Sequence, residues 1–146
     1  LTKINHDKIL KKMMIKKNYN LSLRKKKIIM NKIDLKKILG EGHEIGLHSH
    51  SHPVKIETFK YTEQYKEYHK NNKILNKICK KKITSMSHPC GRYNKDTFKI
   101  LNKLDIKFGF RSNMHKTKIK SFYEIPRIDH VDILKKLNKQ KDYAKR

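Results

Sequence analysis

Apolar positions along the chain fall into two patterns, one with helical spacing and one of short runs. The spacing i, i+3, i+4 predicts helices, at about 6–17, 34–40, 58–82, 94–104 and 131–146. The short runs predict strands, at 44–47, 83–87 and 123–128, with a further apolar run at 108–110. Helices that alternate with strands are typical of βαβ units, so we expect an α/β fold with a parallel sheet.

Capping residues mark several of these boundaries. Asp34 is a candidate N-cap, and Asn94 or Asp96 starts the fourth helix, because short polar side chains accept from the free N–H groups of a first turn. Gly40 or Gly42 is expected to end the second helix. Pro126 makes the last strand an edge or bent strand, since proline cannot donate to a ladder.

The predicted helix at 58–82 carries tyrosines on one face, Tyr61, Tyr65 and Tyr68, followed by Leu75 and Ile78. Such a stripe has two interpretations, a surface for stacking sugars or a face packed on the core. Helical spacing of this kind is more typical of core packing, and we expect these side chains to lie against a sheet.

Polar clusters follow the predicted strands, at 48–52, 88–93 and 129–130. In barrel-like α/β folds the active site forms at the carboxyl ends of the strands. Clusters at equivalent strand ends would therefore meet on one rim.

The first cluster contains the strongest chemical signal. Residues 42–53 read GHEIGLHSHSHP and contain four histidines. Imidazole is a common ligand for zinc and similar metals, and His48 and His52 are four residues apart, so a helical or tight-turn path would aim both at one point. A His-rich surface loop is the alternative for a lone pair. The interleaved serines and proline behind a strand favour a metal site.

Composition adds few constraints. A chain of 146 residues is long enough for one domain with a core. The net charge of +25 suggests nucleic acid or an anionic membrane as a partner. However, only five of the basic residues are arginines, and the lysines are spread along the chain rather than placed on one arm or helix face. A Lys, Ile and Asn bias is typical of AT-rich coding sequence, so we attribute most of the charge to that background.

The two cysteines, Cys79 and Cys90, show neither metal-ligand spacing nor a disulfide framework and are expected to be free thiols. There is no apolar run long enough to span a bilayer and no signal-peptide core. The chain opens with Leu1, and its first residues are typical of the interior of a protein. We therefore expect a segment upstream, which leaves the compartment open.

Three segments together resemble the polysaccharide deacetylase family, the NodB-homology enzymes. Residues 42–53 resemble its second motif, two histidines around a serine-containing turn. Residues 87–94, SHPCGRYN, resemble its third motif, a segment that forms one wall of the substrate groove. Residues 123–130 resemble a late strand, and the similarity covers roughly 35–133.

The resemblance implies a distorted (β/α) barrel, here incomplete, within a single partial domain spanning 1–146. It implies a hydrolase that removes N- or O-acetyl groups from a polysaccharide or glycan. The metal ligands would be His48 and His52, with His43 and His50 as bystanders. The groove would be lined by Pro89, Cys90, Gly91, Arg92 and Tyr93.

The implied chemistry is metal-assisted hydrolysis. A divalent cation, by default zinc but with cobalt, nickel or manganese as alternatives, polarises the acetyl carbonyl while a carboxylate takes the proton of water. An acid then protonates the leaving group. His130, oriented by Asp129, is the candidate acid, and an exposed strand-end histidine is its alternative interpretation.

Several positions depart from the family pattern. The family's first motif ends in two adjacent aspartates, a base and a third metal ligand, and no Asp-Asp pair occurs in this chain. Cys90 replaces the usual aromatic residue, Ser87 stands where many members have arginine, and the late Leu-x-His motif is not recognisable. We therefore expect the isolated chain to bind metal weakly and to have little or no activity.

Two other functions fit parts of the sequence. A catalytically degenerate homologue would hold glycan without hydrolysing it. A basic nucleic-acid-binding protein would show steeply salt-dependent binding, but the chain has no reader motif and no basic patch with interleaved aromatic residues.

Overall fold

A computed structural model describes residues 3–19, 30–114 and 118–143, and the chain divides into two units, 1–31 and 32–146. The first unit contains helix α1, Lys3–Lys16, which confirms the helix predicted near 6–17. The side chains of Ile9, Leu10 and Met13 on this helix are exposed.

The second unit alternates helices with short extended segments. Its helices are α2 (Lys32–Gly40), α3 (Tyr61–Cys79), α4 (Lys95–Lys103) and α5 (His130–Tyr143). Its strands are β1 (Ser85–Ser87) and β2 (Phe108–Phe110). Short 3₁₀ helices occur at Ile56–Thr58, Pro89–Gly91 and Phe122–Glu124.

The strands form a parallel sheet, as predicted. In the β1–β2 pair, Met86 lies opposite Gly109. Single parallel bridges extend the sheet on both sides, from Leu47 to Met86 and from Phe110 to Ile125. Four successive segments of the chain therefore run side by side in sequence order, all in one direction.

The strand predicted at 44–47 is wrong except at its last residue. Leu47 N–H donates to the Ser85 carbonyl at 2.9 Å, and the Leu47 carbonyl accepts from Ser87 N–H at 2.9 Å. The next amide, that of His48, turns away and donates to the side chain of Asn71 at 3.0 Å. The next ladder bond would join Ser49 N–H to the Ser87 carbonyl, but that oxygen accepts from His48 Nδ1 at 2.8 Å. Ser49 also leaves the extended conformation, with a φ of 62°.

The strand predicted at 123–128 is also mostly wrong. Its first half is the 3₁₀ helix Phe122–Glu124, and only Ile125 pairs with β2. The next bond of a parallel ladder would join Arg127 N–H to the Arg111 carbonyl. Instead, Arg127 N–H donates to the Asn113 carbonyl at 3.4 Å and Arg127 Nε–H donates to the Arg111 carbonyl at 3.2 Å, so the ladder ends at Ile125.

Helix α3 is shorter than the predicted 58–82 because both ends are fixed by local geometry. Lys60 N–H donates to the carboxylate of Glu63 at the start, and Lys80 adopts a left-handed conformation after the end. Its tyrosines pack as expected on the core. Tyr68 is fully buried, and Tyr61 and Tyr65 lie against the same cluster.

Helix α4 begins where the sequence indicates. The Asn94 side chain accepts from Thr97 N–H at 3.0 Å, so Asn94 rather than Asp96 is the N-cap. Asp34 lies inside the first turn of α2 and is not its cap. Gly42 follows the end of α2 with a φ of 88°, a conformation that favours glycine.

One core is formed by the sheet, α3 and α4. It consists of buried side chains from each of these elements and from the loops between them: Leu47, Ile56, Tyr68, Ile83, Met86, Ile100, Leu101, Leu104 and Ile106. Both cysteines are free thiols, as expected. Among helices in the described residues, none combines the length and apolar character that crossing a membrane requires.

We predict that Gly109→Ala destabilises the fold by about 1–3 kcal/mol. A Cβ at Gly109 would lie 2.8 Å from the carbonyl oxygen and 2.9 Å from the Cα of Tyr123, and both are backbone atoms that cannot rotate away. Gly40→Ala is the control, since a Cβ there meets nothing within 4 Å and alanine favours the helix. Urea denaturation of both variants measures the difference. Equal midpoints would contradict the close approach at Gly109.

Candidate metal centre

The histidine-rich loop begins at the carboxyl end of the Leu47 bridge, beside β1. In this loop the rings of His48 and His52 lie next to each other, with centroids 4.8 Å apart and planes tilted by 53°. Both residues are exposed to solvent. The four-residue spacing therefore brings the two imidazoles together, as the sequence predicts.

A hydrogen bond orients the His48 ring. Its Nδ1 lies 2.8 Å from the Ser87 carbonyl oxygen at the end of β1. Because a carbonyl only accepts, Nδ1 carries the proton and the lone pair of a neutral ring is on Nε2. Metal-binding histidines are commonly oriented in this way, with one ring nitrogen held by a backbone carbonyl and the other free for the ion.

The loop backbone is conformationally unusual. Ser49 and His52 have φ values of 62° and 53°, in the left-handed region that non-glycine residues adopt at a cost of about 1–2 kcal/mol each. The Ser49 hydroxyl is buried and accepts from His52 N–H at 3.1 Å. This bond closes the turn that places the second imidazole beside the first.

Helix α3 holds the loop from outside. One oxygen of the Glu67 carboxylate accepts from His50 N–H at 3.1 Å and from Ser51 N–H at 2.8 Å. The other oxygen accepts from the Ser51 hydroxyl at 2.7 Å. One turn further along, Asn71 accepts from His48 N–H. Two side chains four residues apart on α3 thus fix the two consecutive N–H groups of His50 and Ser51 and the N–H of His48 at the start of the loop.

The sequence interpretation missed Glu67 and Asn71. Their signal was present, since both flank the tyrosine face of the predicted helix at a spacing of four residues. That pattern resembles an ordinary polar border of an amphipathic helix, and only the fold reveals which loop it contacts.

We predict that Glu67→Gln loosens the loop without unfolding the protein. The amide keeps one acceptor oxygen but loses the charge-assisted bonds, and each such bond contributes about 1.5–3 kcal/mol. The backbone amide of Ser51 should then exchange its hydrogen about tenfold faster or more, measured by NMR or mass spectrometry. Glu63→Gln is the control, because the Glu63 carboxylate lies on the same helix and, among the described residues, accepts only from Lys60 N–H. Unchanged exchange at Ser51 would rule out the restraint.

Residues 88–93 form a turn at the carboxyl end of β1. Pro89 is buried, and Cys90 and Arg92 are exposed. Gly91 has a φ of 66°, a conformation that favours glycine, and a Cβ there would contact the Ser112 hydroxyl. Of the five residues predicted to line a groove, two therefore serve the turn itself and two face solvent. The fifth, Tyr93, is part of a polar cluster below the turn.

That cluster connects Tyr93 to the next strand. The Tyr93 hydroxyl donates to the Glu124 carboxylate at 3.1 Å, and the Arg111 guanidinium lies close by. Burial, followed by the bond to Glu124, raises the pKa of Tyr93 above its usual value. Arg111 is 5% exposed and follows β2 directly, so its charge lies beneath the surface at the sheet's carboxyl edge.

His88 is the buried histidine of the site and is 1% exposed. Its Nε2 lies 2.7 Å from the Tyr123 carbonyl oxygen, so this nitrogen donates, and its ring packs on Tyr93 with centroids 4.4 Å apart. Burial lowers the pKa of His88 from 6.5 to about 4. The remaining nitrogen, Nδ1, is buried and has no hydrogen-bond partner among the residues that the structure describes.

The predicted acid, His130, lies at the first residue of α5 with its side chain 83% exposed. Its Nδ1 is 3.1 Å from the Asp129 carboxylate, which also accepts from Val131 N–H at 3.1 Å. Asp129 therefore orients His130 as expected and also starts the helix. Within the described ranges, no contact joins either residue to the histidine loop, and their catalytic role stays a prediction.

The donor set at the loop fits two ligands of a divalent cation. His48 has its Nε2 free to coordinate, and the His52 ring is adjacent. No group of three or more His, Cys, Asp or Glu side chains with metal-binding geometry occurs in the described part of the chain. Any further ligands would have to come from outside these residues or from solvent.

Comparisons with known proteins identify the family and the fold. The family described as Polysaccharide deacetylase matches residues 8–109. Among solved structures, the Streptococcus pyogenes deacetylase PplD in complex with acetate is 24% identical with a TM-score of 0.60. This match covers 68% of the present chain and 44% of PplD.

Two further structures match with similar extent. IcaB from Ammonifex degensii is 15% identical with a TM-score of 0.59, and the match covers 68% of this chain and 47% of IcaB. The deacetylase domain of BpsB from Bordetella bronchiseptica is 15% identical with a TM-score of 0.58, covering 68% and 48%. At these identities the likeness establishes the fold, which is the α/β barrel type predicted, present in part. The chain spans less than half the length of each of these three proteins. A comparison with curated proteins found no match.

Proposed function

Because this chain belongs to the polysaccharide deacetylase family, we propose that it forms the histidine-bearing part of a metal-dependent carbohydrate deacetylase. The proposed reaction hydrolyses an N- or O-acetyl group on a polysaccharide or glycan. In this proposal His48 and His52 hold the metal, and the 88–93 turn contributes one wall of the substrate groove.

The observation that carries the proposal is the pairing of the two exposed imidazoles. Their rings are 4.8 Å apart, and the Ser87 carbonyl fixes the His48 tautomer that leaves Nε2 available. A His-rich surface loop without function would not need a buried Ser49 hydroxyl, two left-handed residues and a carboxylate from another helix to fix its shape. Strained backbone that is held by its surroundings is a common property of functional sites.

When bound, a divalent ion at this site would polarise the acetyl carbonyl and supply a more acidic water. The chain's own residues have separate tasks. The two imidazoles hold and orient the ion, Cys90 and Arg92 present solvent-facing groups to the sugar, and His130 with Asp129 is the candidate donor of a proton to the leaving group. Arg92 is itself fixed by an ion pair with Glu57 at 3.3 Å.

The family's chemistry uses two adjacent aspartates, and this chain contains no Asp-Asp pair. A second candidate is a catalytically degenerate homologue that binds glycan, and the sequence upstream of Leu1 discriminates, since an Asp-Asp pair there favours the enzyme. For the deacetylase proposal, the missing pair means that the 146 residues alone should bind metal weakly and release little acetate.

The test uses the 146-residue chain with acetylated chito-oligosaccharides and an acetylated polysaccharide, in the presence of Zn²⁺ or Co²⁺. Acetate release, metal binding and oligosaccharide binding are measured in parallel. We expect metal binding and acetate release near the rate of the metal-only control.

Each outcome separates the candidates. Acetate release that is lost in His48→Ala would confirm a deacetylase and overturn the expected inactivity of the chain. Saturable glycan binding that weakens in Arg92→Gln, without metal binding, would favour the degenerate homologue. A chain that binds neither metal nor glycan would overturn both.

A further inference from the structure

A second concave surface lies between α2 and α3, away from the histidine loop. The cavity has a volume of about 440 Å³. Its lining consists of three lysines, one or two from each helix, and two isoleucines from α3: Lys32, Lys36, Lys77, Ile74 and Ile78. We call this surface the α2–α3 groove.

Among the described residues, no carboxylate neutralises the cationic rim of the groove. In the described residues, no carboxylate lies within 4.0 Å of the ammonium groups of Lys32, Lys36 or Lys77. In contrast, Lys37 and Lys81, which flank the groove in sequence, pair with Glu41 and Glu44. The charge of the rim is therefore available to an external anion.

The positive surface continues along α3. Lys66, Lys70, Lys73 and Lys77 follow each other at spacings of four, three and four residues, which places them on one face of the helix. All four are exposed, and none has an ion pair in the described part of the structure. The expectation that no helix face concentrates the lysines is therefore wrong for α3.

The floor of the groove has the opposite character. Ile74 is 39% exposed and Ile78 is half-buried, so apolar surface lies between the two rows of lysines. An apolar strip flanked by cationic side chains matches an amphiphile with an anionic head. Single-stranded nucleic acid instead stacks its bases on aromatic rings, and the groove is lined by none.

We propose that the α2–α3 groove and the lysine face of α3 form a docking surface for an anionic phospholipid bilayer. The lysines bind the lipid phosphates, and Ile74 and Ile78 contact the acyl region next to the head groups. Each lysine near such a surface contributes about a fivefold increase in partitioning at physiological salt. This proposal is independent of the deacetylase reaction, and it does not require the histidine loop.

The experiment compares two triple variants that carry the same net charge. Lys32→Gln, Lys36→Gln and Lys77→Gln together remove the rim of the groove. The control combines Lys95→Gln, Lys118→Gln and Lys120→Gln, three exposed lysines elsewhere without ion pairs in the described residues. Binding is measured by co-sedimentation with vesicles of pure phosphatidylcholine and of phosphatidylcholine with 30% phosphatidylglycerol, a composition set at roughly the anionic content of charged membranes.

We expect the chain to bind the anionic vesicles only, and the groove variant to lose at least about tenfold in partitioning. The control should lose threefold or less by the same reasoning. Equal losses in the two variants would mean diffuse attraction by the total charge and would overturn the proposal.

A second pair of variants tests the apolar floor. Ile74→Ser should weaken binding to anionic vesicles, and Ile119→Ser, at a residue 52% exposed in another segment, should not. Soluble glycerophosphate tests for a simple phosphate site, and a 20-base single-stranded RNA, about the length that covers one binding groove, tests for nucleic acid. Displacement from vesicles by millimolar glycerophosphate, or tighter binding to the RNA than to vesicles, would overturn the proposal.

Discussion

Replacing His48 and His52 together with alanine should abolish specific uptake of Zn²⁺ or Co²⁺ by this chain. Removing a residue that only hydrogen-bonds to a metal ligand commonly weakens metal affinity by about 10–100-fold. Here both protein ligands themselves are removed, so the loss should be larger. Isothermal titration with Zn²⁺, or the visible absorption of bound Co²⁺, measures the loss. The expected result is a titration indistinguishable from that of buffer.

The same loop provides the control. The double variant His43→Ala with His50→Ala also removes two histidines from residues 42–53. Neither of these rings forms a hydrogen bond with the described residues. The backbone N–H of His50 still reaches Glu67 in this variant, so the loop keeps its shape. This double variant should retain most of the metal affinity. If it loses as much as the His48 and His52 variant, the ion binds to histidines in general, and the proposed centre is wrong.

Helix positions were predictable from the sequence because burial imposes a period on the chain. The helical spacing of apolar residues predicted α3 and α4 within a few residues of their observed bounds. The tyrosine face of α3 was correctly assigned to the core. The pairing of His48 with His52 was also predictable, since a tight turn across four residues aims both side chains at one point.

Strand lengths were not predictable in the same way. The runs at 44–47 and 123–128 have the composition of strands, but each forms one bridge. The first ladder ends after Leu47 because the Ser87 carbonyl, 39 residues from His48 along the chain, accepts from the His48 ring. A contact of this kind depends on how the loop packs against β1, and no local pattern encodes it.

The residues that hold the candidate site in place were not predictable, for the same reason. Glu67 and His88 are unremarkable in sequence, one within a polar helix border and the other beside a proline. The fold places the carboxylate of Glu67 on three groups of the histidine loop and buries His88 beneath the 88–93 turn. The residues that face solvent were recognisable from their chemistry, but the residues that hold them in place required the structure.

The stability of the protein should fall steeply between about pH 6.5 and pH 4 because of His88. Burial lowers its pKa to about 4 in the folded state, compared with 6.5 in the unfolded chain. Below pH 6.5 the unfolded chain therefore binds a proton that the folded protein excludes, so acidification favours unfolding. The contribution of neutral His88 is complete above pH 6.5, and up to about 3 kcal/mol is lost by pH 4.

Replacing His88 with glutamine isolates this effect. The amide N–H of glutamine can still donate to the Tyr123 carbonyl, but it takes up no proton. Urea denaturation of His88→Gln should show a flatter loss of stability between pH 6.5 and pH 4 than the unmodified chain, even if the variant is less stable overall through lost packing on Tyr93. His43→Gln, at an exposed position, is the control for the loss of one histidine. Parallel pH profiles for His88→Gln and the unmodified chain would show that the buried imidazole is not the source of the acid sensitivity.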